Sequence, residues 1–225
     1  MDQATAIAPA KAVSTQLRLL DEAERLFALN GYARTSVRQI TAAASCNIAA
    51  VNYHFGGKAG LYEKVFERRL RVLRERRLVA IQQAMSAAGD AMQLEHLLAG
   101  FARAFFAPLI ESDQSRLFIR LFMREMLDRQ LPADTFKRQV IEPVLGALIE
   151  ALRRVLGQLD ENSARFCIHS TVAQLIHVIQ ADLIFGTGAR EPVFDLDAAI
   201  EHIVRFSAAG IRQCAAGESS GVNHD

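Results

Sequence analysis

The sequence has no tryptophan and only three cysteines, Cys46, Cys167 and Cys214, among 225 residues. An odd, widely spaced set cannot build a disulfide framework. None of the three belongs to a CxxC pair, so a thiolate zinc site has no support. Long apolar runs are missing too. The richest stretch, Cys167 to Phe185, is interrupted by His169, Gln174, His177, Gln180 and Asp182, short of the roughly 18 uninterrupted apolar residues that mark a membrane-spanning helix. The first ten residues, MDQATAIAPA, carry an acid at Asp2 and no apolar core, unlike a signal peptide. These absences predict a soluble, cytoplasmic chain with no membrane partner. There is no internal repeat and no low-complexity tract. A composition of 51% hydrophobic and 23% charged residues excludes a disordered or fibrous chain.

Net charge is nearly absent as well, at +1, but it is unevenly spread. Residues 1–80 carry 13 Lys/Arg against 7 Asp/Glu, and residues 81–225 carry 13 against 18. A basic amino-terminal third beside an acidic remainder suggests a polyanion-facing module joined to something else.

Strict alternation is lacking and helical spacing dominates, which predicts an all-α chain of about nine helices. Leu17, Leu20, Ala23 and Phe27 share one helical face, with Ser14 as amino cap and Gly31 as stop. A second helix begins near Thr35 or Ser36, where Gln39 completes a capping box. A third, short helix follows the Ser45–Cys46–Asn47 turn and ends at Gly56–Gly57. A long helix then starts near Lys58. Past Gly89, helical patterns recur over 92–109, 113–129, 134–158, 161–185 and 195–214, and Pro143 is expected to kink or split one of them.

Two short helices joined by a tight turn, with a supporting helix beside them, form the skeleton of a helix-turn-helix reader. Ser36–Ala44 supplies the support helix and Asn47–His54 the recognition helix. Small or polar residues at 47, 49, 50 and 52 let a backbone enter the major groove. Tyr53 and His54 offer a hydroxyl and an imidazole, while Val51 and Phe55 face the core. Lys58 opens the next helix, where its ammonium and the free amides can meet one phosphate. The arginines at 68, 69, 71, 74, 76 and 77 thicken a positive field, suited to steering more than contact. A solvated helix face with a Glu67–Arg71 ion pair is the plainer reading of that run.

The stretch AERLFALNGYARTSVRQITAAASCNIAAVNYHFGGKAGLYEKVF (23–66) resembles the DNA-binding domain of the TetR family of transcriptional regulators. NIAAVNYHFG is most similar to the branch that includes CecR and PsrA. Further on, REMLDRQLPADTFKRQVIEPVLGALIEAL (124–152) resembles the carboxy-terminal domain of the CecR-like group. The resemblance implies a homodimeric repressor that leaves a double-stranded operator when a small-molecule effector binds the carboxy-terminal domain. It implies DNA contacts from Asn47, Ile48, Ala49, Ala50, Asn52, Tyr53 and His54, a phosphate grip at Lys58, and backbone contacts at Thr35 and Ser36. Two residues depart from the family pattern. Ser45 replaces a turn glycine, which requires another turn geometry or a strained serine. Gly60 stands where an acid is commoner. The expected division is a disordered arm over 1–13, a helix-turn-helix domain over 14–60, a connecting helix over 61–90, a ligand-binding and dimerisation domain over 91–216, and a disordered tail over 217–225.

The acidic remainder offers no catalytic motif and implies no cofactor or metal. None of the six histidines has an acid three residues before it, as a di-iron bundle needs. His169 and His177 are eight residues apart, roughly 12 Å along a helix, too far to share a metal easily. A ligand-binding bundle fits better. Phe105, Phe122 and Met126 supply apolar lining, and Arg124, Gln174 and His177 supply polar groups, although such stripes are more often ordinary core. Leu175, Ile176 and Ile179, with Ile200, Ile203, Val204, Ser207, Gly210 and Ile211, form the expected dimer interface. A two-fold pair would set the recognition helices about 34–36 Å apart or slightly farther. The competing reading is a helical small-molecule or protein-binding module whose reader-like segment meets a protein partner.

Overall fold

The computed structural model describes residues 7–87, 93–157, 159–185 and 193–220. Among the described residues there are nine α-helices and no strand. They are α1 (Ile7–Asn30), α2 (Val37–Ala43), α3 (Ile48–Phe55), α4 (Lys58–Ala87), α5 (Gln93–Ile110), α6 (Asp113–Leu127), α7 (Glu142–Leu156), α8 (Glu161–Phe185) and α9 (Leu196–Ser220). The all-α expectation therefore holds.

Helix α1 begins at Ile7, so Ser14 lies inside it and caps nothing. The expected arm is helical from Ile7 onward because IAPAKAV is alanine-rich and its proline falls in the first turn, where no N–H is needed. At the other end, α9 continues to Ser220, into the expected tail. Residues 1–6 and 221–225 lie outside the described residues. The break expected at Pro143 is a π-helical turn, Lys137–Ile141, that leads into α7, with the proline in the first turn of that helix.

The chain divides into two compact units. One contains the residues up to Leu70 together with 112–135, and the other contains Arg71–Glu111 and the residues from Phe136 onward. A division made along the sequence at 60 and 90 does not capture this, because α6 folds with the amino-terminal helices. In the first unit α6 packs along α1. The core is Leu19, Ala23 and Phe27 of α1 with Ile40, Val51, Leu61, Val65, Phe66, Phe118 and Leu121. Leu19 is fully buried while Leu17 is 48% exposed, so the apolar face of α1 is rotated from the expected one. A chain of rings runs through this core. Tyr62 meets Phe27 and Tyr32, each at 4.9 Å, and Phe66 at 5.0 Å, and Phe66 meets Phe118 at 5.5 Å.

In the second unit α5 packs on α9 and α8, and α7 on α8. Leu94, Leu97, Leu98, Phe101 and Phe106 of α5 form the middle of its core, with Leu148, Leu152, Leu175 and Ile203. Glu95 and Arg212 clamp α5 to α9 through a two-pronged ion pair at 2.5 and 2.7 Å. The Arg212 bonds hold the Glu95 carboxyl below its ordinary pKa.

Candidate nucleic-acid interface

The support helix starts as the capping box predicts. Ser36 Oγ accepts from the Gln39 backbone N–H at 3.2 Å, and the Ser36 N–H donates to Gln39 Oε1 at 2.8 Å. The recognition helix has its own cap, with Asn47 Oδ1 accepting from the Ala49 N–H at 2.9 Å. Between them Ser45 sits at φ 52, the one described non-glycine residue at positive φ. Of the two readings of this position, the strained serine is the one found. Gly56, at φ 70, ends α3.

This frame presents one face of α3 to solvent. Asn47, Ala49 and Asn52 are exposed, and Ala50 and His54 are half-buried. Ile48 is 43% and Tyr53 84% exposed. Val51 is fully buried and anchors the opposite side. A ring left in water on a short helix has no packing role, so Tyr53 is not a core residue. The Gln16 side-chain amide bonds His54 Nδ1 at 3.2 Å. With the amide as donor, the ring proton stays on Nε2 and is free to donate. Lys58 opens α4 with its Nζ 4.1 Å from the centre of the Tyr32 ring, and partial burial lowers its pKa. Ser36 is exposed beside this face.

Thr35 requires a correction. It is 1% exposed, and its hydroxyl donates to the Leu26 and Gly31 carbonyls at 3.2 and 2.8 Å. The side chain secures the carboxy end of α1 and is not open to a phosphate. Gly60, the other departure, has a steric reason. A methyl group built there would lie 1.9 Å from the Phe55 carbonyl oxygen. Gly60→Ala is therefore expected to shift α3 against α4, at a cost of about 1–3 kcal/mol, with weakened operator binding. Thermal melts and gel-shift titration check both. An unchanged melting point would show that the junction relaxes freely.

Half of the six arginines in the basic run are paired with carboxylates. Arg68 pairs with Asp21 and Glu24, Arg69 with Glu24, and Arg76 with Glu111. Glu67 bonds Lys64 at 2.5 Å, in place of the expected pair with Arg71. Sequence reasoning missed Glu24 and Glu125, two carboxylates buried in the first unit. Glu24 is held by Arg68 and Arg69, and Glu125 in part by Tyr62, all more than 40 positions away, a distance that no local spacing reports.

The expected effector residues are divided between the two units. Phe122, Arg124 and Met126 lie in the first unit, and Phe105, Gln174 and His177 in the second. Arg124 is exposed and reaches the Leu29 carbonyl, Gln174 bonds Ser207 Oγ, and His177 faces solvent. The second unit holds instead a narrow apolar slot of about 10 Å³ between α5, α7 and α8, lined by Leu98, Phe101, Leu148, Leu152, Ile168 and Thr171. An open groove of about 680 Å³ along α7 and α8 is lined largely by charge, including the Arg154–Glu150 and Arg165–Glu161 pairs.

The expected dimer residues also need correcting. Leu175, Ile179, Ile200, Ile203, Val204, Ser207 and Ile211 are all at most 8% exposed within the single chain. They are consumed by packing inside the second unit, so they cannot form the middle of an interface. Ile176 and Gly210 remain accessible. So do Phe166 and Phe206, 73% and 65% exposed, which sequence reasoning did not select. Among the described residues no cluster of three or more His, Cys, Asp or Glu could hold a metal, and no helix is long and apolar enough to cross a membrane.

A capped two-helix reader, standing on a third helix and joined to a second helical unit, defines a DNA-binding transcriptional regulator. Residues 19–65 match the bacterial regulatory proteins of the tetR family, and residues 94–211, more than half of the chain, match the carboxy-terminal domain of the HTH-type transcriptional dual regulator CecR. The chain belongs to the TetR family of transcriptional regulators, with a carboxy-terminal domain of the CecR type. A probable HTH-type regulator of Bacillus subtilis, YttP, is 43% identical over 51 residues, covering 23% of this chain and 25% of that protein. A TetR-family regulator from Mesorhizobium loti superposes with a TM-score of 0.68 at 16% identity, over 88% of this chain and 97% of the other. The complex of SmeT with triclosan gives 0.62 at 22% identity, over 87% and 90%. At these identities the two structures bear on the fold alone.

Proposed function

We propose that this regulator is a cytoplasmic repressor. A homodimer occupies a pseudo-palindromic operator and leaves it when a small molecule enters the second unit. The observation that carries the reading is the outward face of α3. Asn52 can read a base edge bidentately, Ala49 and Ile48 can meet a thymine methyl, and Tyr53 and His54 can donate to phosphates or bases. Ser36 and Lys58 flank that face and supply sequence-independent phosphate contacts. Dimerisation is assigned to the outer side of α8 and α9, where Phe166, Ile176 and Phe206 stand exposed beside His202, Ala209 and Gly210. An exposed apolar stripe of this kind is what a second copy covers. The SmeT–triclosan complex, a protein of similar fold, supports a small molecule as effector.

The test is a selection from genomic duplexes with purified protein, which should enrich a two-fold-symmetric site. Lys58→Ala should weaken every duplex alike and reduce the log–log salt slope by roughly 0.9. Asn52→Ala should change which sequence is preferred, by about 1–3 kcal/mol at one base position. If no symmetric site is enriched and both variants weaken all duplexes equally, α3 meets an acidic protein surface instead.

A further inference from the structure

The recognition helix is tied to α1 through a histidine ring. The side-chain amide nitrogen of Gln16, on α1, lies 3.2 Å from His54 Nδ1. The two residues are 38 positions apart, so no local spacing reports the pair. Both are half-buried, and the packing of α1 on α3 brings the amide to that edge of the ring. The ring is also held by its neighbours in sequence. It meets the Tyr53 ring edge-on at 4.9 Å and the Phe55 ring at 6.1 Å. With Nδ1 turned to α1, Nε2 on the other side of the imidazole points away from that helix. Among the described residues Nε2 has no hydrogen-bond partner.

The bond decides what Nε2 can do. A neutral imidazole carries one ring proton, and the nitrogen that accepts a bond does not hold it. An amide N–H given to Nδ1 therefore leaves the proton on Nε2. A carboxylate in the place of Gln16 would act in the opposite sense, drawing the proton to Nδ1 and leaving a lone pair on Nε2. The difference matters on a surface that meets DNA. Phosphate oxygens only accept, and so do guanine N7 and O6 in the major groove. A lone pair aimed at any of them repels, whereas an N–H bonds.

We infer that Gln16 is a positioning residue for DNA recognition: by bonding His54 Nδ1 it fixes the ring proton on Nε2, so that α3 donates at this point to an acceptor atom of the duplex. This rests on the reading of α3 as the DNA-facing helix given above. Gln16 acts through His54, and its amide needs no contact with DNA.

Two measurements test this. The first uses no DNA. In protein labelled with 15N-histidine, at about pH 8.5, where imidazole is neutral, His54 should show an unprotonated Nδ1 and a protonated Nε2. Gln16→Glu, which replaces the donor by an acceptor, should move the proton to Nδ1. Gln16→Met, similar in length and without a donor, should give a mixture of the two forms. A proton on Nδ1 in the parent, or one pattern shared by all three proteins, overturns the inference.

The second measurement is a titration of sonicated genomic DNA and of the duplex enriched by the selection above. Gln16→Met should weaken binding about 3- to 10-fold. In a His54→Ala background the same change should cost less than about twofold, because the bond it serves has gone. A loss that persists in full in that background would mean that Gln16 acts by packing alone, and overturns the inference. An equal loss on both probes assigns the acceptor to a phosphate, and a loss confined to the enriched duplex assigns it to a base edge. If the ring signals change as expected and Gln16→Met binds both probes as tightly as the parent, the proton is placed as described but His54 does not meet DNA. The inference then falls together with the part of the α3 reading that rests on His54.

Discussion

Glu24→Ala is expected to destabilise the protein by about 3 kcal/mol or more, whereas Asp21→Ala, three residues earlier on the same helix, should cost less than about 1 kcal/mol. Both carboxylates bond Arg68, and they differ in burial. The Asp21 side chain is 53% exposed and its pair with Arg68, at 2.7 Å, is screened by water. The Glu24 side chain is fully buried and receives Arg68 at 2.7 Å on one oxygen and Arg69 at 2.7 Å on the other. Burial alone would lower the Arg68 pKa, but the bonds to Asp21 and Glu24 outweigh it and raise the value. With Glu24 gone, two guanidiniums that are each only 21% exposed lose their shared acceptor. Arg68 Nε already has no partner, so nothing nearby takes over. The residual exposure of the arginines keeps the loss near the lower end of the range for broken buried pairs. A fall of roughly 6–12 °C in melting temperature follows for a chain of this size. Because Glu24 ties α1 to α4, operator affinity should fall with it. A loss no larger than that of Asp21→Ala would show that solvent screens both pairs alike.

How much of this was legible in the sequence follows from the range of each signal. The capping box at Ser36 and Gln39 and the glycine stops at Gly31 and Gly56 act within four residues, and each is found where the spacing placed it. The strained turn at Ser45 was legible as one of two options for the same reason. The phase of α1 was less so, because an apolar stripe is wide enough to accept either Leu17 or Leu19. Helix α9 shows the limit of composition. Ile200, Ile203, Val204 and Ile211 are its most apolar residues, and for that reason they are spent on the core of their own chain. Outside are left His202 and Phe206, a more mixed pair that the apolar spacing does not select.

The charged residues were misread for a related reason. A run of arginines spaced along one helix has the same local pattern whether its partners are water or distant carboxylates. Only the fold brings Glu24 to Arg68 and Arg69, and Phe105 to Arg77. The basic third marked the reader correctly, yet its field is weaker than a count of arginines suggests. Of the six along α4, Arg71 and Arg74 are the ones with neither an ion pair nor a ring partner among the described residues.

Glu125→Ala is the second large loss expected, about 3–5 kcal/mol, and it falls on a different part of the first unit. Glu125, 1% exposed, accepts the Tyr62 hydroxyl at 2.9 Å on one oxygen and the Gln130 and Leu131 N–H groups, each at 2.8 Å, on the other. It therefore closes the turn after α6 and fastens that turn to α4, a few residues from Lys58. Removing the carboxylate orphans three donors in or near the core, each worth about 1–3 kcal/mol when buried without a partner. Glu125→Gln keeps an acceptor for the two backbone groups and should lose about half as much. Tyr62→Phe removes one bond and should cost about 1–2 kcal/mol. Its sharper signature is in pH. Burial, and then the bond to Glu125, hold the Tyr62 phenol well above its ordinary pKa. The stabilisation is therefore fully present below the unfolded value near 10. Above it the unfolded chain ionises while the folded chain does not, and stability falls by up to about 1.4 kcal/mol per pH unit. Denaturant titrations of parent and Tyr62→Phe between pH 8 and about 11 separate this from general alkaline weakening. If the two curves stay parallel, Tyr62 ionises as easily folded as unfolded, and the Glu125 bond is not what holds the proton.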